Sequence, residues 1–404
     1  MTKKTDTPAI RFKGFSDTWE QRKAIDIADY SKGNGYSKGD LTDAGTPIIL
    51  YGRLYTKYQF AISEVDTFAV PRNGAVYSQG NEVIVPASGE TAEDIARASA
   101  VEKSGVLLGG DLNILRPFDF INPLFLALAI SNGEPQKELA KKAQGKSVVH
   151  IHNTDIQEVT IAYPSRTEQD RIVSVFRQLD NLITLHQRKY EKLHNIKKSM
   201  LEKMFPKNGS NVPEIRFKGF TEAWEQRKFS ELVQIERGGS PRPIDDFITD
   251  APNGLNWVKI GDAPTQGNYI TKTAEKIRPE GLSKTREVHP GDLILSNSMS
   301  FGKPYIMGID GCIHDGWLLI RNTYGVFDLT FLCHLLGTPQ MLSQYRSLAA
   351  GSTVNNLNKE LVGNTYVTIP SITEQRVLGA YLEQLDNLIT LHQRELEKLQ
   401  NIKK

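Results

Sequence analysis

Two stretches of the chain, residues 165–204 and 371–404, carry apolar residues at mixed steps of three and four. This spacing puts a narrow apolar stripe along one side of a helix and is typical of a coiled coil. Neither glycine nor proline interrupts the first stretch, which at 1.5 Å per residue predicts a helix of roughly 60 Å. The stripe residues that we expect to pack in the coil or against a partner are Ile172, Phe176, Leu179, Ile183, Leu193, Leu378, Leu382, Leu385, Ile389 and Leu396.

Each stretch begins with the same local signal. Ser165 is followed three positions later by Glu168, and Ser371 by Glu374, each directly after a proline. This spacing is typical of a capping box, in which both side chains bond to backbone N–H groups of the first helical turn. We therefore expect spacer helices over the whole of both stretches.

The sequence contains a tandem duplication. IRFKGFSDTWEQRK at 10–23 returns as IRFKGFTEAWEQRK at 215–228, and QLDNLITLHQR at 178–188 returns unchanged at 384–394. Repeats at a fixed offset indicate two copies of one structural unit. Because copies related by a two-fold axis meet with opposite chain directions, we expect the two helices to pack antiparallel.

Two histidines, His186 and His392, occupy equivalent positions on the stripes. A tolerated polar pair within the seam is the simpler interpretation, and a pH switch or a metal site is the open alternative. On the simpler interpretation, we expect no metal site on this chain.

The sequence between the repeated blocks is rich in short β-type runs, and each half closes with an apolar, helix-like segment, at 123–132 and 329–338. This pattern predicts an α/β fold of two mixed α/β domains, joined by two long helices in an antiparallel coiled coil with pseudo-two-fold symmetry. The expected limits are 1–164 for the first domain and 215–370 for the second. Residues 205–214 form a linker by their proline, glycine and asparagine content.

Composition narrows the class of protein further. The 404 residues include 49 basic and 47 acidic ones, a formal net charge of +2. That balance argues against nucleic-acid binding by bulk charge and leaves localised contacts open. No run approaches the roughly 18 apolar residues of a membrane span, and Cys312 and Cys333 form no metal-type pair. We expect a reduced cytoplasmic setting, without a membrane.

Three short motifs match catalytic or ligand-binding signatures only in part. INPLF at 121–125 partly matches the Asn-Pro-Pro-aromatic motif of amino-methyltransferases but lacks its second proline, and a helix start explains it better. FGKP at 301–304 lacks the upstream glycine and the following Ser or Thr of a phosphate-binding loop. His150 and His152 have no accompanying carboxylate or cysteine cluster and are interpreted as polar surface residues. We expect no catalytic residues.

Polar loops that combine glycine with basic and aromatic residues are the candidates for nucleic-acid binding. They are YGRLYTKY at 51–58, ASGET at 87–91, ERGGSPRP at 236–243 and SNSMSFGKP at 296–304. Glycine lets a backbone approach a phosphate, Ser, Thr and Lys hold the strand, and Arg and Asn can bond to base edges. A solvated turn is the open alternative for each loop. The candidate residues are Arg53, Tyr55, Lys57, Ser88, Thr91, Arg237, Ser240, Arg242, Asn297, Ser298 and Lys303.

Taken together, these features resemble the specificity subunits of type I restriction–modification systems, over nearly the whole chain. The resemblance is carried by the duplicated frame with divergent inserts, the P-S-x-T-E-Q helix starts and the two QLDNLITLHQR segments. GSPRPI at 239–244, GDLILSNSMSFGKPYI at 291–306 and HDGWLLI at 314–320 are similar to segments of that family's recognition domains.

The resemblance implies that each insert is a target recognition domain that reads one half of a split, asymmetric sequence in double-stranded DNA. It further implies that the coiled coil sets the separation of the two halves. Two methyltransferase subunits would dock around the helices, and restriction subunits would complete the assembly. The chain itself would hold no cofactor and catalyse nothing. S-adenosylmethionine, ATP and Mg²⁺ would be bound by the partner subunits.

Two other classes of protein remain open at this point. One is a stand-alone DNA-binding or adaptor protein that uses its coil for self-association; a helix face exposed outside the intrachain seam would favour the multisubunit assembly instead. The other is an enzyme whose active site is split between the halves. Methyl transfer by the isolated chain would favour that reading.

Overall fold

The fold is described by a computed structural model that covers residues 8–145, 148–207, 209–297, 301–349 and 356–403. The chain forms two compact units, Met1–Asp180 and Asn181–Lys404. One long helix begins in the first unit and ends in the second.

The described strands of the first unit are β1 (Glu20–Lys23), β2 (Ala28–Lys32), β3 (Leu41–Thr42), β4 (Thr46–Ile49), β5 (Ala61–Ile62), β6 (Phe68–Ala69), β7 (Tyr77–Gln79), β8 (Glu82–Pro86), β9 (Ser88–Gly89), β10 (Ser99–Val101), β11 (Ser104–Leu108), β12 (Leu112–Pro117), β13 (Val149–His150) and β14 (Thr160–Tyr163). Its helices are α1 (Arg53–Thr56), α2 (Ala92–Ile95), α3 (Pro123–Ile130), α4 (Gly133–Lys142), α5 (Asn153–Gln157) and the start of α6 (Arg166–Lys203).

The described strands of the second unit are β15 (Glu225–Lys228), β16 (Gln234–Arg237), β17 (Leu255–Val258), β18 (Tyr269–Ile270), β19 (Glu275–Ile277), β20 (Arg286–Val288), β21 (Leu293–Ser296), β22 (Pro304–Met307), β23 (Gly311–Ile313), β24 (Trp317–Arg321) and β25 (Tyr366–Ile369). Its helices are the rest of α6, α7 (Leu329–Leu336), α8 (Pro339–Ala349), α9 (Lys359–Gly363) and α10 (Ile372–Lys403). Short 3₁₀ turns lie at Ala24–Asp26, Lys38–Asp40, Phe229–Glu231, Ile244–Asp246, Ile260–Asp262 and Pro279–Lys284.

The described strands of the two units follow one sheet plan, to which the first unit adds the edge strand β3 and the pair β9–β13. In the first unit the strand orders are β2-β12-β8-β10-β5 and β3-β6-β4-β11-β7; in the second they are β16-β24-β21-β22-β18 and β19-β17-β23-β20. The pair β1–β14 in the first unit corresponds to β15–β25 in the second. The central strands β8 and β21 are buried along their whole length, which explains their continuous apolar runs. The duplication therefore extends through the inserts, where the two sequences differ most.

One glycine of the shared frame is required in both copies. A Cβ on Gly33 would lie 1.9 Å from the carbonyl oxygen of Gly109, and a Cβ on Gly238 would lie 2.2 Å from that of His314. Both distances are far below van der Waals contact. These positions therefore have to be glycine for the strand end to pack against the neighbouring loop.

The long helices begin with the same ion pair, which differs from the predicted capping box. Arg11 binds both carboxylate oxygens of Glu168, each at 2.7 Å, and Arg216 binds those of Glu374 at 2.7 and 2.8 Å. The glutamate half of the capping-box prediction is thus wrong, because the carboxylates face arginines of the opening block. Only the serine contact is seen, where Ser371 Oγ accepts from Glu374 N at 3.5 Å.

The neighbouring glutamines fasten each helix start to the domain below it. Gln169 accepts from the backbone N–H of Asn122 at 2.8 Å, and Gln375 accepts from that of Asp328 at 3.0 Å. Both glutamine side chains are fully buried. The T-E-Q segment is therefore a joint between helix and domain.

The apolar stripe serves two kinds of contact. Ile172 and Phe176 pack against the core of the first unit, so their expected place in the coil is corrected: the first turns of α6 cover the domain core. Leu193 packs against a cluster of the second unit that includes the predicted Leu378, Leu382 and Leu385. Ile389 is buried, and Leu179, Ile183 and Leu396 are half-buried.

Within the second unit, residues 181–203 of α6 and helix α10 run antiparallel, as predicted. His186 contacts His392, with 3.1 Å between their Nδ1 atoms, whereas Lys197, later in α6, pairs with Asp386, earlier in α10. Because His186 and His392 are repeat equivalents, the local two-fold axis of the seam passes between their rings. One ring nitrogen donates and the other accepts, which makes them a polar pair in the seam.

Candidate nucleic-acid interface

In the second unit, two loops that the sequence singled out converge on Asp315. The end of β16 and the loop after it supply Arg237, Ser240 and Arg242, and Asn297 directly follows β21. These residues are about 60 positions apart in the chain, and the sheet order brings their strands together on either side of β24. The structure thus assembles one polar cluster, the Asp315 cluster, from these four side chains, Asp315 and His314.

The Asp315 carboxylate is the acceptor at the centre of this cluster. Ser240 Oγ donates to Oδ1 at 3.0 Å, and His314 Nε2 lies 3.0 Å from the same oxygen. Arg242 Nη2 lies 3.7 Å from Oδ2. The backbone carbonyl of Asp315 accepts from Asn297 Nδ2 at 2.8 Å and from Arg237 Nε at 3.5 Å. A single residue therefore orients the donors of both loops.

The exposed side of the Asp315 cluster opens into a cleft. The side chain of Arg242 is 82% exposed, so its guanidinium can reach a phosphate or a base edge. Trp257, Lys259 and His314 line the same cleft. Lys259 is held by Glu275, with 2.5 Å between Nζ and the carboxylate. Asn297, by contrast, is buried and supports the loop rather than facing solvent.

Two further residues of the predicted DNA-binding set, Lys303 and Ser298, are not among the residues that define the Asp315 cluster. The Lys303 ammonium stacks over the Tyr305 ring, 4.9 Å from its centroid, and its backbone N–H donates to Ser296 Oγ at 3.0 Å. Ser298 lies outside the described residues.

The glycines of ERGGSPRP have a different role from the one proposed for them. A Cβ on Gly239 would lie 2.4 Å from the carbonyl oxygen of Lys284, and Gly238 is equally close to His314. The space that glycine leaves free is filled by the chain's own backbone. The interpretation that they admit a phosphate is therefore corrected: they allow two loops to pack.

In the first unit, the basic residues of YGRLYTKY converge on Asp66. Arg53 Nη1 and Lys57 Nζ lie 2.5 and 2.6 Å from the two carboxylate oxygens. Hydrogen bonds from Lys57 and then Arg53 hold the pKa of the Asp66 carboxyl well below its usual range. The Arg53 side chain is only 9% exposed, whereas that of Lys57 is 55% exposed. Of the two basic residues of this loop, Lys57 is thus the one that reaches solvent, and Arg53 holds the loop together.

Tyr55, Ser88 and Thr91, the other candidates of the first unit, make hydrogen bonds within that unit. The Tyr55 hydroxyl donates to the Ser88 carbonyl at 2.7 Å, and Ser88 Oγ lies 3.1 Å from His150 Nδ1. Thr91 Oγ1 caps α2 by accepting from Asp94 N at 3.1 Å. His150 is exposed, as the surface interpretation predicted. DNA contacts by these residues stay predictions.

Sequence reasoning missed two residues at these sites. Arg97 lies over both Tyr55 and Tyr58, 5.5 Å from each ring centroid, but it is about 40 positions away, where no local spacing connects it to them. Asp315 was noticed only as part of HDGWLLI. Its carboxylate lies next to a strand whose two neighbours carry the polar loops, and this was the signal that could have identified it.

Among the described residues, no group of three or more histidine, cysteine, aspartate or glutamate side chains is arranged to hold a metal ion. In the same part of the chain, no helix combines the length and apolar character of a membrane span.

A family model for the type I restriction modification DNA specificity domain matches the chain twice, over residues 16–195 and 221–401. The chain is 23% identical over 350 residues to the type I restriction enzyme MjaVIII specificity subunit of Methanocaldococcus jannaschii, covering 82% of this chain and 78% of that protein. A putative type I restriction enzyme MjaX specificity subunit of the same organism is 24% identical over 309 residues, covering 74% of this chain and 70% of that protein.

Solved structures share the fold. The crystal structure of a type I restriction-modification system S subunit from M. genitalium superposes with a TM-score of 0.64 at 14% identity, covering 98% of this chain and 96% of that one. A chain from a structure concerned with complex assembly and conformational transition of the type I R-M system gives a TM-score of 0.55 at 17% identity, with 95% of each chain covered.

Proposed function

This chain belongs to the type I restriction–modification DNA specificity family, and we propose that its two recognition domains read the two halves of a bipartite, asymmetric site in double-stranded DNA. It is a specificity subunit with two DNA recognition domains. This membership, rather than any missing motif, makes it the non-catalytic component of such a system.

The observation that carries the proposal is one sheet frame that holds two different polar clusters. The sheets that contain β2 and β16 have the same strand order, yet the polar cluster of the second domain forms around Asp315 and that of the first around Asp66. Because direct readout depends on which donors and acceptors reach the groove, unlike clusters on like frames favour unlike half-sites. The exposed Arg242 and Lys57 are the DNA-facing cations of the two domains.

Helix α6 supports the role of a spacer. Its 38 residues extend about 57 Å at 1.5 Å per residue, and B-DNA advances about 34 Å per turn. The antiparallel seam with α10 stiffens it, and buried joints tie each helix start to its own domain. A stiff spacer lets the two half-sites be separated by base pairs that are not read.

The exposed face of the coil supports the docking of two copies of one partner, a methyltransferase subunit. Leu182 and Leu185 are 43% and 46% exposed, and their repeat equivalents Leu388 and Leu391 are 44% and 51% exposed. Exposed apolar pairs on an ordered helix indicate a protein-binding surface. Packing alone would require the two copies of the segment to agree only at seam positions. The copies also agree at these outer positions, which favours the same partner surface on both helices.

A matched pair of variants tests this docking. Replacing Leu182 and Leu185 by serine, or Leu388 and Leu391 by serine, should each remove one methyltransferase subunit from the assembly, because each pair forms one site. Light scattering after size exclusion should show a 1:1 complex in place of 2:1. Tyr324→Ser, at a residue 69% exposed and outside the repeated blocks, is the control. Unchanged 2:1 stoichiometry in both leucine variants would reject this surface.

We assign the chemistry to the partners. S-adenosylmethionine would be bound by the methyltransferase subunits, ATP and Mg²⁺ by the restriction subunits, and the complex would act on DNA in the cytoplasm. Sequencing of methylated adenines in DNA treated with the complex tests the whole proposal. It should return a split motif with a fixed gap, and Arg242→Ala should relax or weaken only one half of it. A single continuous motif would overturn the proposal.

A further inference from the structure

A buried polar cluster joins the second recognition domain to both long helices. Its centre is Asp386 of α10, which is 9% exposed, and its other members are Lys197 of α6, His334 of α7 and Asn268, directly before β18. All four lie in the second unit. Two members come from the spacer helices and two from the recognition domain, so the cluster spans the junction between them.

Both carboxylate oxygens of Asp386 are engaged. Oδ2 accepts from His334 Nε2 at 2.9 Å and from Asn268 Nδ2 at 2.8 Å, and Oδ1 forms an ion pair with Lys197. Burial alone acts to raise the pKa of Asp386, but the hydrogen bond from His334 and the charge of Lys197 outweigh it, and the pKa lies below its usual value. The aspartate is therefore a buried, fully coordinated anion.

The histidine ring is fixed from both sides. His334 Nδ1 lies 2.7 Å from the carbonyl oxygen of Thr330, one turn earlier on α7, while Nε2 faces Asp386. Each ring nitrogen lies within hydrogen-bond distance of one acceptor oxygen, so a rotation of the ring would break these contacts. The directions of these bonds are narrow, and they fix the angle of α7 on α10 more tightly than apolar packing would.

The first copy carries the same helix sequence with different neighbours. Asp180 is the repeat equivalent of Asp386 within the identical QLDNLITLHQR segment. Counting from the equivalent helix starts at Asn122 and Asp328, the counterpart of His334 is Leu128. By the equivalent pairing of β5 and β18, the counterpart of Asn268 is Phe60. Both counterparts are apolar, so the aspartate–histidine–asparagine contact belongs to the second domain.

We propose that Asp386, held by His334, Asn268 and Lys197, positions the second recognition domain on the coiled coil and thereby fixes the gap at which its half-site is read. A buried ion pair often adds little net stability, and in some proteins such a group fixes the register of packing elements instead, which is the role proposed here. The inference rests on the proposed function, since it presupposes a bipartite site. In this proposal the four residues contact neither DNA nor a partner subunit; they set the position of the second recognition domain.

The test uses the complete methyltransferase complex and a set of DNA duplexes whose gap is the preferred length, or one base pair shorter or longer. Asp386→Asn should reduce the preference for the correct gap roughly tenfold, the scale of one charge-assisted hydrogen bond. The half-site bases should be unchanged. Asp180→Asn, the same substitution in the identical segment of the first copy, should change the preference less.

A second variant separates positioning from folding. The charge-free replacement Lys197→Met, His334→Leu and Asp386→Leu, combined with Asn268→Leu, makes the junction apolar, and such replacements of buried ion pairs usually leave a protein folded. It should retain the thermal unfolding midpoint of the parent and still lose gap preference. If this folded variant discriminates gaps as well as the parent does, the positioning role is wrong. If the parent itself shows no gap preference, the bipartite function fails instead, which is a distinguishable result.

Discussion

In the second recognition domain, Arg237, Ser240, Arg242 and Asn297 gather around one residue, Asp315. In the first, Arg53 at the start of α1 and Lys57 directly after its end contact Asp66, and Tyr55 of the same helix contacts Ser88. One sheet beneath these clusters has the same five-strand order in both domains. The difference teaches that the sheets set the position of the loops, whereas the loops carry the hydrogen-bonding groups. The loops of one domain can therefore change without altering those of the other.

The largest expected effect breaks the shared frame itself. Gly238→Ala, and Gly33→Ala in the other copy, push a methyl group into a backbone carbonyl at 2.2 and 1.9 Å. Each should cost about 3 kcal/mol of unfolding free energy, at the upper end for overpacking. Urea unfolding measures it. Gly261→Ala, where an added Cβ meets nothing within 4 Å, is the control, and equal losses in all three variants would refute the argument.

The next effect separates the two polar clusters. Asp315→Ala removes the acceptor shared by Ser240, Arg242 and His314. Binding of DNA with the correct second half-site should fall roughly tenfold, with discrimination at the first half-site intact. Competition binding with duplexes altered in one half at a time measures this. Asp310→Ala, at a side chain 78% exposed in the same domain, should bind like the parent. Altered reading of the first half-site would contradict separate clusters.

A smaller effect compares the two exposed cations. Arg242→Ala and Lys57→Ala each remove one DNA-facing charge, so each should lower the slope of log K against log salt by about 1 if that charge contacts a phosphate. Titrations at several salt concentrations give the slope. Arg53→Ala should act differently, because this side chain is buried in the loop and supports it. A slope unchanged in both surface variants would remove these residues from the DNA interface.

The smallest effect concerns the seam. Burial, together with the charges of His186 and Lys189, lowers the pKa of His392 below its ordinary 6.5. The unfolded chain therefore binds this proton more readily, and the coil should lose stability as the pH falls below 6.5 and keep it above. Thermal unfolding between pH 5 and pH 8 should show the slope. The double variant His186→Asn with His392→Asn should flatten it, and a persisting slope would assign it to other groups.

The two long helices and their pairing could be predicted from the sequence, because apolar periodicity and repeated segments can be read directly along the chain. The stripe predicted two helices, and the repeat predicted their antiparallel seam, which the contacts of His186 and Lys197 confirm. The common sheet topology of the inserts was not predictable. Strand order depends on which apolar runs become buried together, and residue identity between the inserts is too low to reveal it.

The misread details are all contacts between residues far apart in the chain. Glu168 looked like a capping-box residue because its spacing from Ser165 fits, yet it pairs with Arg11, 157 positions away. Ile172 and Phe176 fit the coil stripe, but a domain core covers them. The predicted DNA-binding residues stay a prediction, and the sequence did not reveal that Asp315 and Arg97 contact several of them.

The most direct test of the account lengthens the spacer. One heptad is inserted into each helix at His186 and His392, where the local two-fold axis lies, so that the register is retained on both sides. The spacer grows by about 10 Å, close to three base pairs of B-DNA. Selection from a library of duplexes with variable gaps should return both original half-sites with a gap longer by about that amount. An unchanged gap would contradict the claim that paired helices set the separation of two independent readers.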